Sequence, residues 1–83
     1  MTTNAASSTK LKITYCGAWG YKKRAVSLAD ELKSQFGYES ELIKSEGGVF
    51  EIELNGKLLF SKASLGRFPE DGEVKKLVTE EVS

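Results

Sequence analysis

The sequence predicts an α/β fold, arranged as an α+β sandwich in which one mixed β-sheet is covered on one face by two helices. Alternating apolar and polar residues near the start of the chain have the period of a strand that is buried on one side. The apolar residues that follow recur at helical spacing instead. Further on, Asn55-Gly56 separates two apolar segments and is typical of a tight β-hairpin, because such a turn requires positive φ at both central residues.

The first half of the chain predicts a strand, a helix and a second strand. The first strand runs from Lys10 to Tyr15, where every second residue is apolar. The helix that follows ends before Gly37, a residue that commonly forms a left-handed cap. Its apolar stripe consists of Ala25, Leu28, Ala29, Leu32 and Phe36. Tyr38 to Lys44 is predicted to form the second strand.

The second half predicts a hairpin, a loop and a final helix. The hairpin strands are Val49 to Leu54 and Lys57 to Lys62, and the loop is Ala63 to Phe68. Pro69 is expected to open the last helix at its first turn, and Gly72 to weaken that helix. The apolar residues of this helix share one face: Val74, Leu77, Val78 and Val82.

The predicted order is therefore β-α-β-β-β-α. A helical connection makes the first two strands parallel with a right-handed crossover, and the hairpin adds two antiparallel strands. If the third strand lies beside the first, the sheet order is 2-1-3-4 and both helices cover one face. The other face then carries opposite charges on neighbouring strands, at Lys10 and Lys12 on one and Glu51 and Glu53 on the other. This is the minimal thioredoxin-like architecture.

Composition excludes several functions. With 83 residues the chain suits one domain, predicted over 10–83 after a disordered segment at 1–9. One cysteine and no histidine exclude an internal disulfide, a zinc finger and a Ser-His or Cys-His catalytic pair. Because 12 basic residues balance 12 acidic ones, neither a nucleic acid nor a membrane surface is expected as a partner. A free thiol without a signal peptide or an apolar span predicts a cytoplasmic protein.

The one cysteine, Cys16, lies where the first strand meets the first helix. At such a junction the helix N-terminus favours a thiolate, and redox Cys-x-x-Cys pairs occupy it. Here the fourth position of that motif is Trp19. We expect Cys16 to be accessible, because it stands in a loop between glycines, although a free cysteine is more often a buried structural thiol. Trp19 is expected to be partly exposed and to form a small apolar patch with its neighbours in the loop, Gly17, Ala18, Gly20 and Tyr21.

Three segments carry a family resemblance. The residues at 13–22 read Ile-Thr-Tyr-Cys-Gly-Ala-Trp-Gly-Tyr-Lys, those at 49–62 read Val-Phe-Glu-Ile-Glu-Leu-Asn-Gly-Lys-Leu-Leu-Phe-Ser-Lys, and those at 66–69 read Gly-Arg-Phe-Pro. From about Lys10 to Val82 the chain resembles the Rdx family, which includes selenoprotein W. In that family the position of Trp19 holds selenocysteine or cysteine, so this chain departs from the family there. Three origins of Trp19 stay open: a natural substitution, an engineered replacement, or a selenocysteine codon read as tryptophan.

The resemblance implies a small cytosolic redox protein that is linked to glutathione and has protein partners such as the 14-3-3 proteins. We expect it to bind no metal or resident cofactor and to act as a monomer. Lys22, Lys23 and Arg24 stand in the first helical turn, where cations oppose the helix dipole. Beside Cys16 they are expected either to stabilise a thiolate and attract anionic glutathione, or simply to form a solvated helix end.

Two classes of function follow. In the first, the chain performs glutathione-linked thiol redox or antioxidant chemistry, with Cys16 as the thiol and position 19 as the site of the family's reactive group. In the second, it is a non-enzymatic binding module that recognises a partner through the loop from Cys16 to Tyr21. A purely structural small domain is the third and weakest hypothesis.

Overall fold

The computed structural model describes residues 9–82. In chain order its elements are β1 (Leu11–Cys16), α1 (Tyr21–Phe36), β2 (Ser40–Ser45), β3 (Phe50–Leu54), β4 (Lys57–Ser61), a short helix α2 (Lys62–Leu65) and α3 (Glu73–Val82). The predicted disordered segment at 1–9 lies outside the described residues, except for Thr9.

The four strands form one sheet in the order β2-β1-β3-β4, as predicted. β1 pairs parallel to β2 and antiparallel to β3, and β3 pairs antiparallel to β4. The opposite charges on the outer face are in register at one point, where Lys12 lies across from Glu53. Among the described residues no ion pair joins these two side chains. The charge pattern therefore agrees with the strand order and adds little stability.

The hairpin turns at Asn55-Gly56, where φ is 53° and 86° respectively. Positive φ at both residues is the requirement that predicted this turn. The Asn55 side chain also ties the turn to the start of β1, because its Oδ1 accepts a hydrogen bond from the Lys10 N–H at 2.8 Å. The Asn55 N–H in turn donates to the Lys10 carbonyl at 2.8 Å.

The core lies between the sheet and the two longer helices. Both helices contribute buried residues to the same cluster as β1 and β3, so they cover one face of the sheet, as predicted. The buried members of this cluster are Leu11, Ile13, Tyr15, Ala25, Leu32, Phe50, Ile52, Leu54, Phe60, Val74 and Val78. At the end of α1, Gly37 adopts the predicted left-handed conformation with φ of 78°. No helix in the described part of the chain is long and apolar enough to cross a membrane.

The expected loop at 63–68 is wrong in its first half, which forms α2. Ser61, the last residue of β4, caps this helix by accepting a hydrogen bond from the Ser64 N–H at 3.3 Å. A serine hydroxyl that accepts a hydrogen bond from the N–H three residues later is an N-cap. This cap stabilises α2, although a four-residue segment has only a weak helical pattern in its sequence.

The expected start of the last helix at Pro69 is also wrong. α3 begins at Glu73, and Gly72 lies in the turn before it with φ of 79° rather than inside the helix. The Glu73 carboxylate accepts a hydrogen bond from the Glu70 N–H at 2.9 Å, while the Glu73 N–H donates to the Glu70 carbonyl at 3.0 Å. This reciprocal pair resembles a capping box and sets the helix start four residues later than the proline suggests.

Candidate functional site

The candidate redox loop begins at the carboxyl end of β1, between the ends of two neighbouring strands. The Cys16 N–H donates to the Val49 carbonyl at 2.8 Å, and the Gly17 N–H donates to the Ser45 carbonyl at 3.0 Å. The backbone is thus held on both sides up to the point where the chain leaves the sheet. This anchoring gives the residues that follow a defined starting position.

Cys16 is only 8% exposed, so the expectation of an accessible thiol is wrong. It is the last residue of β1 rather than a loop residue. Its Sγ accepts a hydrogen bond from the Ala18 N–H at 3.4 Å. This hydrogen bond joins the side chain of Cys16 to the backbone of the loop that follows β1.

Trp19 is 98% exposed, which confirms the expected exposure and exceeds it. The chain turns sharply here, because the Tyr21 N–H donates to the Ala18 carbonyl at 3.2 Å. Gly20 then starts α1 with φ of 91° and no side-chain cap. The expected apolar patch is smaller than predicted, since Tyr21 is half-buried against the core.

Of the three cations of the first helical turn, Arg24 lies over an aromatic ring. The Arg24 guanidinium carbon lies 4.2 Å from the centre of the Phe68 ring. Among the described residues, no hydrogen bond joins Lys22, Lys23 or Arg24 to Cys16. Whether their charges affect the thiol stays a prediction.

Sequence reasoning missed Lys44 as a neighbour of the loop. A Cβ added at Gly17 would stand 2.5 Å from the Lys44 Cε, so the stem of this lysine lies over the loop backbone. The parallel pairing of β1 and β2 causes this contact, because it sets Tyr15 beside Lys44 and Cys16 beside Ser45. Nothing in the local sequence around Cys16 indicates it.

Phe68 joins the start of α1 to the sheet. Its ring centre lies 5.1 Å from that of Tyr21 and 5.4 Å from that of Phe50. Besides Arg24, the Lys62 Nζ also contacts this ring and lies 5.4 Å from its centre. Aromatic and cation–π contacts of this kind each stabilise by roughly 0.5 to 1.5 kcal/mol. Through Phe68, the Gly-Arg-Phe-Pro segment at 66–69 thus packs against the start of α1, the helix that follows the candidate redox loop.

The residue before Phe68 holds the other side of this segment in place. Arg67 forms a bidentate ion pair with the Glu73 carboxylate, with N–O distances of 2.7 and 3.0 Å. The hydrogen bond from Arg67, followed by that from the Glu70 N–H, lowers the pKa of Glu73 to about 2. The segment is therefore fixed to α3 by charge and to α1 by aromatic contacts.

A groove of about 570 Å³ lies between α1 and this segment, with Trp19 at one end. Its walls and floor consist of Trp19, Gly20, Lys23, Arg24, Ser27, Leu28, Glu31, Phe50, Phe68, Pro69, Glu70, Asp71, Gly72 and Val74. Cys16 is not part of its lining. The structure therefore separates a shielded thiol from a groove that starts at position 19.

A four-stranded 2-1-3-4 sheet with a cysteine at the end of its first strand, directly before a helix, defines a thioredoxin-like protein. The comparisons with known proteins give the family: residues 10–80 match the Rdx family, and the chain belongs to it. The chain is thus a member of the selenoprotein W and Rdx group, a family of small redox-related proteins.

Relatives and solved structures agree. The chain is 36% identical over 76 residues to selenoprotein W of Danio rerio, which covers 84% of this chain and 87% of that protein. It is 33% identical over 75 residues to migration and invasion enhancer 1 of Mus musculus, covering 89% of this chain and 65% of that protein. It is 37% identical over 68 residues to the Bos taurus protein of that name, covering 81% of this chain and 59% of that protein. The chain thus spans about three fifths of those two relatives.

Among solved structures, a selenoprotein W-related protein from Vibrio cholerae superimposes with a TM-score of 0.82 at 29% identity, covering 90% of this chain and 98% of the other. A protein from Bordetella parapertussis also reaches a TM-score of 0.82, at 36% identity and with 88% and 96% coverage. These likenesses extend over the whole sheet and the helices.

Proposed function

We propose that this chain is a glutathione-linked thiol redox protein in which position 19 is the solvent-facing reaction position and Cys16 is the shielded thiol behind it. Membership of a redox-related family supports the general class. The observation that carries the proposal is the contrast between the two ends of the loop, where residue 19 is 98% exposed and Cys16 is 8% exposed with an N–H on its sulfur.

This contrast divides the work of a two-thiol site. An exposed thiol or selenol at position 19 can reach a peroxide or a disulfide, and Cys16 can then attack the resulting bond from inside the loop. An indole cannot replace the first step, since its only polar group is an N–H donor. With Trp19 in place, single-thiol chemistry remains: the Cys16 thiolate attacks the glutathione sulfur of a mixed disulfide between glutathione and a substrate thiol, forms a Cys16–glutathione disulfide and releases the substrate thiolate. Reduced glutathione then attacks the Cys16–glutathione disulfide, restores the Cys16 thiol and leaves as oxidised glutathione.

Replacing Trp19→Cys tests the proposal. After mild oxidation the folded variant should lose both free thiols to an intramolecular disulfide, and it should reduce peroxide or a disulfide with glutathione as the reductant. Trp19→Ser is the matched control, since it removes the indole without adding sulfur. A folded Trp19→Cys protein that keeps two free thiols would show that the loop lacks redox geometry.

The binding module remains the second candidate, because a fully exposed tryptophan beside a groove is a typical recognition feature. Such a module would bind a protein of the 14-3-3 type without redox turnover, and Cys16 would at most form a mixed disulfide with it. Retention of partner binding by Cys16→Ser favours this candidate, whereas loss favours the redox protein. We place either activity in the cytoplasm, since a reducing compartment preserves the free thiol. We also propose that the protein acts as a monomer.

A further inference from the structure

The groove beside Trp19 is lined by five charged side chains. Lys23, Arg24, Glu31, Glu70 and Asp71 line it, and among the described residues none of them forms an ion pair. The ion pairs that the described residues do form involve Lys33 with Glu39, Lys57 with Glu81, and Arg67 with Glu73, none of which line the groove. Apart from Arg24, which lies over the Phe68 ring, these side chains are therefore available to a charged ligand.

These charges are separated along the groove. Lys23 and Arg24 occupy the first turn of α1, next to Trp19. Glu31 stands on the same helix about 12 Å further along, at a rise of roughly 1.5 Å per residue from Lys23. Glu70 and Asp71 also line the groove. A ligand that follows α1 from Trp19 towards Glu31 is therefore complementary if it carries negative charge near Trp19 and positive charge at the far end.

Between the charges the floor is apolar. Phe50 and Val74 are buried beneath the groove, and Leu28 and Phe68 are half-buried in its sides. An aliphatic side chain laid on this floor would remove apolar surface from water on both partners. The volume of about 570 Å³ lies in the ordinary range for small ligands and short peptides.

We infer that this groove binds an extended peptide segment with an acidic, an apolar and a basic side chain at alternate positions, the acidic one next to Trp19. Side chains at alternate positions of an extended chain point the same way, and four residue steps of about 3.3 Å span the separation of Lys23 from Glu31. Cys16 does not line the groove, so binding is non-covalent and independent of the proposed redox activity.

The experiment uses Trp19 as its own reporter, because it is the one tryptophan of the chain and is 98% exposed when the groove is empty. The probe is the blocked peptide acetyl-Asp-Gly-Leu-Gly-Lys-amide, and occupancy should shift the indole emission to shorter wavelength. Two peptides with Lys at both charged positions or Asp at both serve as charge controls. A third with Ser in place of Leu tests the apolar floor. All three controls should bind at least about threefold more weakly, as expected for one or two partly exposed contacts.

Charge-reversal variants test whether Lys23 recognises the acidic residue of the probe peptide. Lys23→Glu should weaken binding of the probe by about threefold or more and strengthen binding of the double-Lys peptide, a reversal that a merely structural change would not produce. Lys22→Glu is the matched control, because Lys22 is the exposed neighbour in the same turn and does not line the groove. It should leave both affinities within about twofold of the unmodified protein.

Three results would overturn the inference. One is equal binding of all the peptides, or no emission shift with the probe up to about 10 mM. Another is a shift that appears on concentrating the protein alone, which would assign the groove to a second copy of the chain. The last is loss of probe binding in Cys16→Ser, which should otherwise bind normally even if the redox proposal fails.

Discussion

At the scale of single residues, positions 16 and 19 of the proposed redox site differ sharply in exposure to solvent. The position that meets solvent carries an indole, and the one thiol of the chain is shielded at the end of β1. Burial of Cys16 suits a thiol that attacks a bond formed within its own loop, because such an attack needs proximity rather than access. Under the proposed redox function, Trp19 removes the group that would react first, while the thiol of Cys16 is retained.

A thiol at position 19 should be more accessible to reagents than the thiol of Cys16. In the folded protein, Cys16 should react with a neutral alkylating reagent at least about tenfold more slowly than the thiol of the Cys16→Ser/Trp19→Cys double variant. The rates should converge in urea, where both thiols are exposed. Alkylation followed by mass spectrometry measures both rates, and equal rates in the folded proteins would contradict the shielding of Cys16.

The loop also depends on a glycine conformation. Gly20 starts α1 at φ of 91°, a region that side chains rarely adopt, so Gly20→Ala should destabilise the protein by about 1 to 2 kcal/mol. Gly17→Ala is the matched control, because its Cβ meets only the flexible and exposed end of Lys44, which can move away. Urea unfolding should show a change of less than about 0.5 kcal/mol for Gly17→Ala. A similar loss in both variants would show that φ at Gly20 is not the limiting constraint.

At the scale of elements, the ion pair between Arg67 and Glu73 stabilises the start of α3. The pKa of Glu73 is about 2 in the folded protein, against an ordinary value of 4.5. A lowered pKa means that the carboxylate contributes stability above about pH 4.5 and loses this contribution as the pH falls towards 2. The pair with Arg67 is accessible to solvent, so added salt should weaken the contribution.

The stability difference between the unmodified protein and Glu73→Gln should therefore depend on pH. Urea unfolding should show the variant less stable at pH 6, with the difference closing as the pH falls through the window from about 4.5 to 2. Glu80→Gln removes a carboxylate from the same helix without breaking the pair and should give a smaller difference at pH 6. A difference for Glu73→Gln that is constant with pH would contradict the role of the charged pair.

The same element shows what could be predicted from sequence and what could not. Periodicity gave the strands, the two long helices and their shared face, and Asn55-Gly56 gave the hairpin, because these signals are local. The start of α3 was misplaced because it depends on the side chain of Glu73 reaching back to Glu70, which competes with the signal of Pro69. The burial of Cys16 was missed because it depends on its place inside the sheet, where the Cys16 N–H bonds to the Val49 carbonyl, a residue distant in sequence.

At the scale of the whole molecule, Phe68 couples the parts that form the groove. It contacts α1 through Tyr21 and Arg24, the sheet through Phe50, and it is adjacent in sequence to the residue that is tied to α3. The start of α1, the sheet and the groove therefore all depend on contacts of the Phe68 ring. Its loss should be felt at the start of α1 before it is felt in the hairpin.

Phe68→Ala should destabilise the protein by about 2 kcal/mol, which is below the cost for a fully buried ring, and should open the first turn of α1 selectively. Phe36→Ala is the matched control, because that ring is also half-buried but stacks on Tyr38 at the other end of α1, with centres 5.5 Å apart. Hydrogen exchange should increase at 21–25 more in Phe68→Ala than in Phe36→Ala, while exchange at 50–54 should rise only in proportion to the global loss of stability. Equal protection of the first turn in the two variants would show that the start of α1 holds its position without Phe68.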